Sequence, residues 1–460
     1  MCIVEMRADD MQASDRHTPI TGLSPASAAH ANDPTYRHAY SGLTSWAACA
    51  FAVVLGFSRL SYGLLLPALR ADLHGSYGLF GFVGALNLGG YLLGTLAIPL
   101  VVARYHDRVR LNALSLLAMS AAMIGSAASR DLAQLGAWRL LIGVFSAPAT
   151  VLTIALTLER VAPAERGRAS GMIWMGGAAG VVVSGLVAPL VVGAGASPAW
   201  RPVWVAMGVI GLIATWGLRR ALRATATPRA PRTDEEAAPR ADASVQRESG
   251  GLGGAPQHGG GEPIVAQRHV FPALTTLFRP RGLLTLTLAY AAFGCGYIIY
   301  FTFFIALVAH QGVPALLVGL AWSAIGAVGA AGGLLWGRAI DRWPSGFTLA
   351  MALMLGALGA LGVGGLALDS VGAVLMGLCF IGTPTMFTAL LQRAVPAARY
   401  TVSLSALTTV FALGQMVGPS IGGVVVDAHG LALGTATAAG ILAIAALLAA
   451  AYGMLQRRPA

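Results

Sequence analysis

Long apolar runs recur along almost the whole of this 460-residue chain, and they constrain its fold more tightly than any motif does. A helix needs about 20 mostly apolar residues to cross a hydrocarbon core of about 30 Å. Twelve stretches read as such spans: 43–67, 78–102, 111–129, 135–158, 169–192, 200–218, 282–308, 316–336, 347–368, 371–391, 401–426 and 431–455. In hydrocarbon every backbone N–H and C=O must be satisfied internally, so these runs form helices, and neighbouring helices absorb Pro67, Pro148, Pro189, Pro384 and Pro419. Composition agrees: 56% of residues are apolar and 11% charged, against roughly 45–50% and about 25% in soluble globular proteins. A soluble helical bundle would carry charged outer faces that these runs lack. The expected fold is an all-α membrane protein with twelve transmembrane helices.

A formal charge of +11 would suggest nucleic acid if it were spread over a soluble surface, but the basic residues, all 30 of them arginine, fall almost entirely in the short gaps between spans. Cytoplasmic loops carry the excess of basic residues. With the N-terminus inside, 25 arginines lie on the cytoplasmic side and only Arg70, Arg130 and Arg201 on the other. Both termini are therefore expected in the cytoplasm of a multi-pass protein of the plasma (inner) membrane. Residues 1–42 are polar, lack the pattern of a signal peptide and read as a disordered cytoplasmic tail. Residues 219–281 read as a cytoplasmic linker, because Thr225–Gly261 is too rich in Pro, Gly, Ala and charge to bury a core. The expected organisation is a six-helix bundle over 43–218, the linker, a second six-helix bundle over 282–456 and a short tail, 457–460. Cys2, Cys49, Cys295 and Cys379 show no metal-ligand or CxxC spacing and read as packing residues.

The halves repeat. Leu158, Arg160, Pro163, Ala164 and Arg166 recur 233 positions later as Leu391, Arg393, Pro396, Ala397 and Arg399, and Asp107-Arg108 recurs 234 later as Asp341-Arg342. Duplicated bundles with a central site at mid-depth are a transporter architecture. On these residues the chain resembles the major facilitator superfamily across 43–455. Gly337-Arg338-Ala339-Ile340-Asp341-Arg342 is similar to its loop signature, and the N-terminal counterpart keeps Asp107-Arg108 without the leading glycine. Arg139-Leu140-Leu141-Ile142-Gly143 is similar to its Arg-x-x-x-Gly element. Gly414 to Gly423, with Gly418, Pro419 and Gly422, matches a Gly-x-x-x-Gly-Pro-x-x-Gly-Gly pattern, here in the eleventh span. More narrowly, Gly56 to Gly63, Leu69 to Leu73 and Gly294 to Tyr300 resemble the YbfB/YjiJ-type bacterial branch. The resemblance implies alternating access, with Asp107, Arg108, Asp341 and Arg342 as gating-loop contacts. Gly176 with Gly180, and Gly414, Gly418 and Gly422 beside Pro419, read as sites where spans pack closely.

Two cations, Arg59 and Arg139, stand mid-run with no Asp, Glu or His at a comparable depth. Such a group costs about 2.5–3.5 kcal/mol to insert and is kept where it faces a polar interior. An anion-handling cavity follows as the first reading. In the fourth span Arg139, Gly143, Ser146, Thr150, Thr153 and Thr157 recur at helical spacing, a polar stripe that must look inward. Arg59 shares a face with Tyr62, and Asn87 with Tyr91. From the second half come Tyr290, Phe293, Tyr297 and Tyr300 in the seventh span, Thr385 and Thr388 in the tenth, and Thr408, Ala412 and Gln415 in the eleventh. The expected substrate-binding set is Arg59, Tyr62, Asn87, Tyr91, Arg139, Thr150, Tyr297, Tyr300, Thr385 and Gln415.

The function expected is secondary transport of a small molecule, read as an organic anion, by a monomer without metal or cofactor. Proton coupling is left open because no titratable acid lies at mid-depth. Efflux of hydrophobic or cationic drugs by proton antiport, or a non-transporting sensor on the same scaffold, is the alternative. No HExxH or DxxxD motif supports an enzyme, and nothing predicts a channel filter.

Overall fold

The computed structural model describes residues 34–162, 165–194, 198–225, 282–361 and 366–457, and all their regular structure is helical. Helix α1 is one continuous run in three parts: Pro34–Phe51, a π-helical stretch Ala52–Leu60, and Ser61–Leu73. The first half continues with α2 (Tyr77–Arg104), α3 (Arg108–Ser126), α4 (Leu132–Arg160), α5 (Arg166–Ala194) and α6 (Trp200–Ala224). The second comprises α7 (Leu283–His310), α8 (Ala315–Arg342), α9 (Gly346–Leu361), α10 (Leu366–Ala394), α11 (Ala397–His429) and α12 (Leu431–Arg457). Eleven of these are long and apolar enough to cross a membrane, and Gly346–Leu361 is a shorter apolar helix.

Each of the twelve spans read from the sequence holds a helix, most with longer ends, but α3 stops at Ser126, short of the 129 expected, and the ninth span, read as 347–368, is described as α9 only to Leu361. Helix α1 starts at Pro34, inside the stretch read as tail, and α6 continues to Ala224, into the stretch read as linker. Expectations for 1–33, 226–281 and 458–460 lie outside the described residues. Polar side chains fix the helix starts: Ser76, Asp107 and Asp131 accept the amides of Leu79, Arg110 and Gln134 at the first turns of α2, α3 and α4, which satisfies donors a helix leaves free. The exterior is apolar, with Leu100 74% and Leu447 65% exposed, as a surface facing lipid requires.

Duplication is visible in the packing. In the first half α1 packs on α5 and α6, α2 on α4, and α3 on α4 and α6; in the second α7 packs on α11 and α12, α8 on α10, and α9 on α10 and α12. Each pair in one half recurs six helices on in the other. The contacts between halves obey the same rule: α2 meets α11, α5 meets α8, and α1 meets α7.

All three seams close one end of the molecule, the end away from the described termini. A Cβ at Gly63 (α1) would collide with the Phe301 carbonyl (α7), and one at Gly81 (α2) with the Pro419 carbonyl (α11), so backbone approaches backbone there as glycine alone permits. Ser323 (α8) donates to the Val182 carbonyl (α5) at 2.9 Å. At the rim, the amides of Tyr77 and Gly78, the first residues of α2, both donate to the Asp427 carboxylate of α11, each at 2.7 Å; an anion suits a helix N-terminus.

The other glycines read as packing sites work within halves. Gly176 and Gly180 press α5 on Ala48 and Ala52 of α1, and Gly414, Gly418 and Gly422 press α11 on α7. Pro419, by contrast, sits on the seam between halves.

Candidate functional site

On α1, α5, α7 and α11 the residues before the seams, and on α2 and α8 those after them, enclose a central cavity of about 650 Å³. It therefore lies on the side of the seams that carries the termini. The first half contributes Arg59, Tyr91, Thr150 and Trp174; the second contributes Tyr290, Phe293, Tyr297, Thr385, Phe411 and Gln415, among others. The volume falls within the roughly 300–1,000 Å³ of small-molecule sites.

Six of the ten residues expected to bind substrate line this space: Arg59, Tyr91, Thr150, Tyr297, Thr385 and Gln415. Three others, Tyr62, Asn87 and Arg139, lie deeper, around a gap of only about 10 Å³ at the seam, with Arg59 at its edge. Tyr300 lines neither space; it is buried and stacked on Phe304 with ring centroids 4.7 Å apart.

The two arginines have different surroundings. Arg139 is 1% exposed. Its Nη1 donates to the Ser58 carbonyl at 2.6 Å, and its guanidinium lies 4.6 Å from the Tyr62 ring centroid and 5.6 Å from that of Trp204. Asn87 donates to the Arg139 carbonyl at 3.0 Å, and the Tyr62 hydroxyl to the Phe80 carbonyl at 2.7 Å. Ser58 belongs to the π-helical stretch, where Ser61 N–H bonds the Gly56 carbonyl five residues back. That wider register opens the helical ladder and turns a carbonyl toward Arg139.

Arg59 is half-buried. Its guanidinium lies 4.1 Å from the Tyr91 ring centroid, and among the described residues it has neither a hydrogen bond nor an acidic partner, its Nε being buried without an acceptor. It is also the sole charged residue among those lining the cavity. A guanidinium held on an aromatic face keeps its in-plane donors free for a carboxylate or phosphate fork.

Facing it are the rings of the second half. Tyr290 stacks on Phe411 at 4.3 Å and 12°, Phe293 on Tyr297 at 5.0 Å and 23°, and Tyr297 lies at 8° to Phe411. Gln415 Nε2 donates to the Tyr297 hydroxyl. Phe380, Phe411 and Trp174 were not singled out in the sequence. Trp174 and Phe411 are each the lone aromatic of their span and Phe380 shares its span only with Phe387, and hydropathy alone does not separate a cavity wall from a lipid face.

The charged residues at the helix ends pair within the first half. Arg108 grips Glu159 with two hydrogen bonds, 2.8 and 3.2 Å, and Asp107 caps α3. Asp72, near the closed end, accepts from Trp200 and Arg201 at 3.0 and 3.1 Å. Arg342 lies against Trp343. Among the described residues neither Asp107-Arg108 nor Asp341-Arg342 bridges the halves in this conformation, whose open end is theirs. Among the described residues no group of three or more His, Cys, Asp or Glu could hold a metal ion.

A duplicated bundle around a central cavity, closed at one end by seams between its halves, is the architecture of a secondary transporter. The chain belongs to the Major Facilitator Superfamily, whose family model matches residues 48–414. No curated protein matches it. Its fold is similar to the crystal structure of the nucleoside transporter NupG, at 13% identity and TM-score 0.66, over 92% of this chain and 100% of that one. It is also similar to a bacterial homolog of the human lysosomal transporter Spinster in its inward-facing states: occupied, at 16% identity and TM-score 0.65 over 92% and 98% of the two chains, and unoccupied, at 17% and 0.63 over 92% and 96%. The protein is thus a multi-pass membrane transporter of a small molecule.

Proposed function

We propose that this transporter carries a small organic anion, with Arg59 as the group that binds its charge. The observation that carries this reading is the isolation of Arg59: among the described residues it is the single cation lining the cavity, its face is occupied by Tyr91, and no acid pairs with it. A buried charge without a counter-ion is costly, and a substrate carboxylate supplies the missing partner. Alternating access follows from the duplicated packing: rocking the halves would open the glycine seams and bring the Asp107-Arg108 and Asp341-Arg342 loops together at the other end. The arginine asymmetry supports an inner-membrane protein with both termini in the cytoplasm, so the cavity faces inward here. The resemblance to the YbfB/YjiJ-type branch and a monomeric state belong to the same reading. No acid or histidine is among the lining residues, so proton coupling would run through the substrate or through groups outside the cavity.

The aromatic wall favours one rival, efflux of hydrophobic compounds, though a cationic drug would meet Arg59 with no acid to offset it. Thermal unfolding of the purified protein with organic anions separates the two. Anions stabilise the wild type and fail to stabilise Arg59→Ala if the reading holds; equal stabilisation of both forms removes Arg59 from the site.

A further inference from the structure

We infer that the transported anion is a monocarboxylate on a flat aromatic body, its carboxylate on Arg59 and its ring stacked on Phe411, where it extends the aligned set of Tyr290, Phe293 and Tyr297. This deepens the anion reading and rests on it. Three observations carry it. First, the cavity is electrically lopsided: among the described residues Arg59 on the first half is the only charge in the lining, and the opposite wall is largely aromatic, with Thr385, Thr388, Thr408 and Gln415 as its neutral polar groups. One cation matches one negative charge, and a second carboxylate would lose its water against rings that cannot replace it.

Second, the rings on that side are aligned. Tyr290, Phe293, Tyr297 and Phe411 share nearly one ring orientation, with interplanar angles of 3° (Tyr290–Phe293), 16° (Phe293–Phe411) and 8° (Tyr297–Phe411). Core aromatics commonly meet edge to face as well as offset-stacked; here Tyr290, Phe293 and Tyr297 are only 1–4% exposed and stack on one another and on Phe411, so Phe411, half-buried and lining the cavity, is the member of the aligned set that presents surface to a ligand ring.

Third, the two recognition elements are close enough to act on one molecule. Arg59 lies within electrostatic reach of the Tyr297 phenol, and Tyr297 is held from behind by Gln415 and stacked on Phe293. Tyr91, beneath the Arg59 guanidinium, is in the same reach of Tyr290.

The test uses the full chain, purified in detergent and reconstituted in proteoliposomes, with matched probes. Benzoate and phenylacetate carry ring and charge; cyclohexanecarboxylate keeps the charge on a non-planar ring; succinate has two charges and no ring; benzamide has the ring without the charge. Benzoate and phenylacetate should raise the unfolding temperature and saturate uptake, with affinities about 3- to 10-fold tighter than cyclohexanecarboxylate, the range a stacked pair supplies. Phe411→Leu, which keeps apolar bulk, should erase that preference while leaving cyclohexanecarboxylate binding in place. Arg59→Gln should weaken all the acids at least about tenfold, and its unliganded unfolding temperature reports whether it is folded.

Succinate or cyclohexanecarboxylate binding as well as benzoate, through Arg59, would overturn the aromatic inference and leave the anion reading standing. Benzamide matching benzoate, or none of the acids stabilising or crossing the membrane, would overturn both.

Discussion

Arg59 and Arg139 are alike in hydropathy context, yet their neighbours divide the work between them. Arg139 is sealed at the seam, with the Ser58 carbonyl as hydrogen-bond acceptor and Tyr62 and Trp204 as π partners; it ties α4 to the π-helical stretch of α1 and to α6. Arg59 holds only the Tyr91 face and leaves its donors toward open volume. Their substitutions should separate accordingly. Arg139→Leu is expected to cost about 1.5–3 kcal/mol, the worth of a hydrogen bond to a charged group, and to lower the unfolding temperature in detergent without any ligand. Arg59→Ala should leave the unliganded midpoint nearly unchanged. A midpoint for Arg139→Leu equal to wild type would contradict the structural role.

At the scale of elements, α1 is the unusual helix. Its π-helical stretch turns Ser58 toward Arg139 and places Arg59 at the cavity, and one turn beyond, Gly63 lets α1 touch the backbone of α7. A side chain at Gly63 has no room there, because its first carbon would already overlap the Phe301 carbonyl. Gly63→Val is expected to hold the halves apart at the closed end. A cysteine placed near Gly81 should then react with a membrane-impermeant maleimide from the side that is shielded in the wild type, and transport should fall sharply. Unchanged labelling would show that the α1–α7 seam is not needed for closure.

For the whole molecule, the symmetric pairing of helices makes rocking of two halves the natural motion, and it is opposed by the three close-packed seams and by polar contacts beside them. Asp427 with the N-terminus of α2 is the clearest polar contact, at the rim. Asp427→Ala removes both bonds without disturbing either bundle and should shift the balance toward opening at that end. Since the group is solvent-exposed, the change in the ratio of states should be modest, about three- to fivefold, read as a change in the distance distribution between spin labels on α2 and α11. No change would mean that the glycine seams alone set the closed state.

The sequence by itself determined the solvent, the number of spans and the duplication. These depend on local apolar length and on repeated segments, and the bilayer turns the first directly into helices. It also supplied six cavity residues, because a polar side chain in a span must face inward. What only the tertiary structure decided was depth and neighbours. Arg139 and Thr150 share a face of α4 but stand about 16 Å apart along it, so one is locked in a seam and the other lines the cavity. Phe411 and Phe380 became a wall only when α10 and α11 packed beside α7. Periodicity along one helix reports direction around its axis; which partner stands there, and at what height, is set by the other eleven.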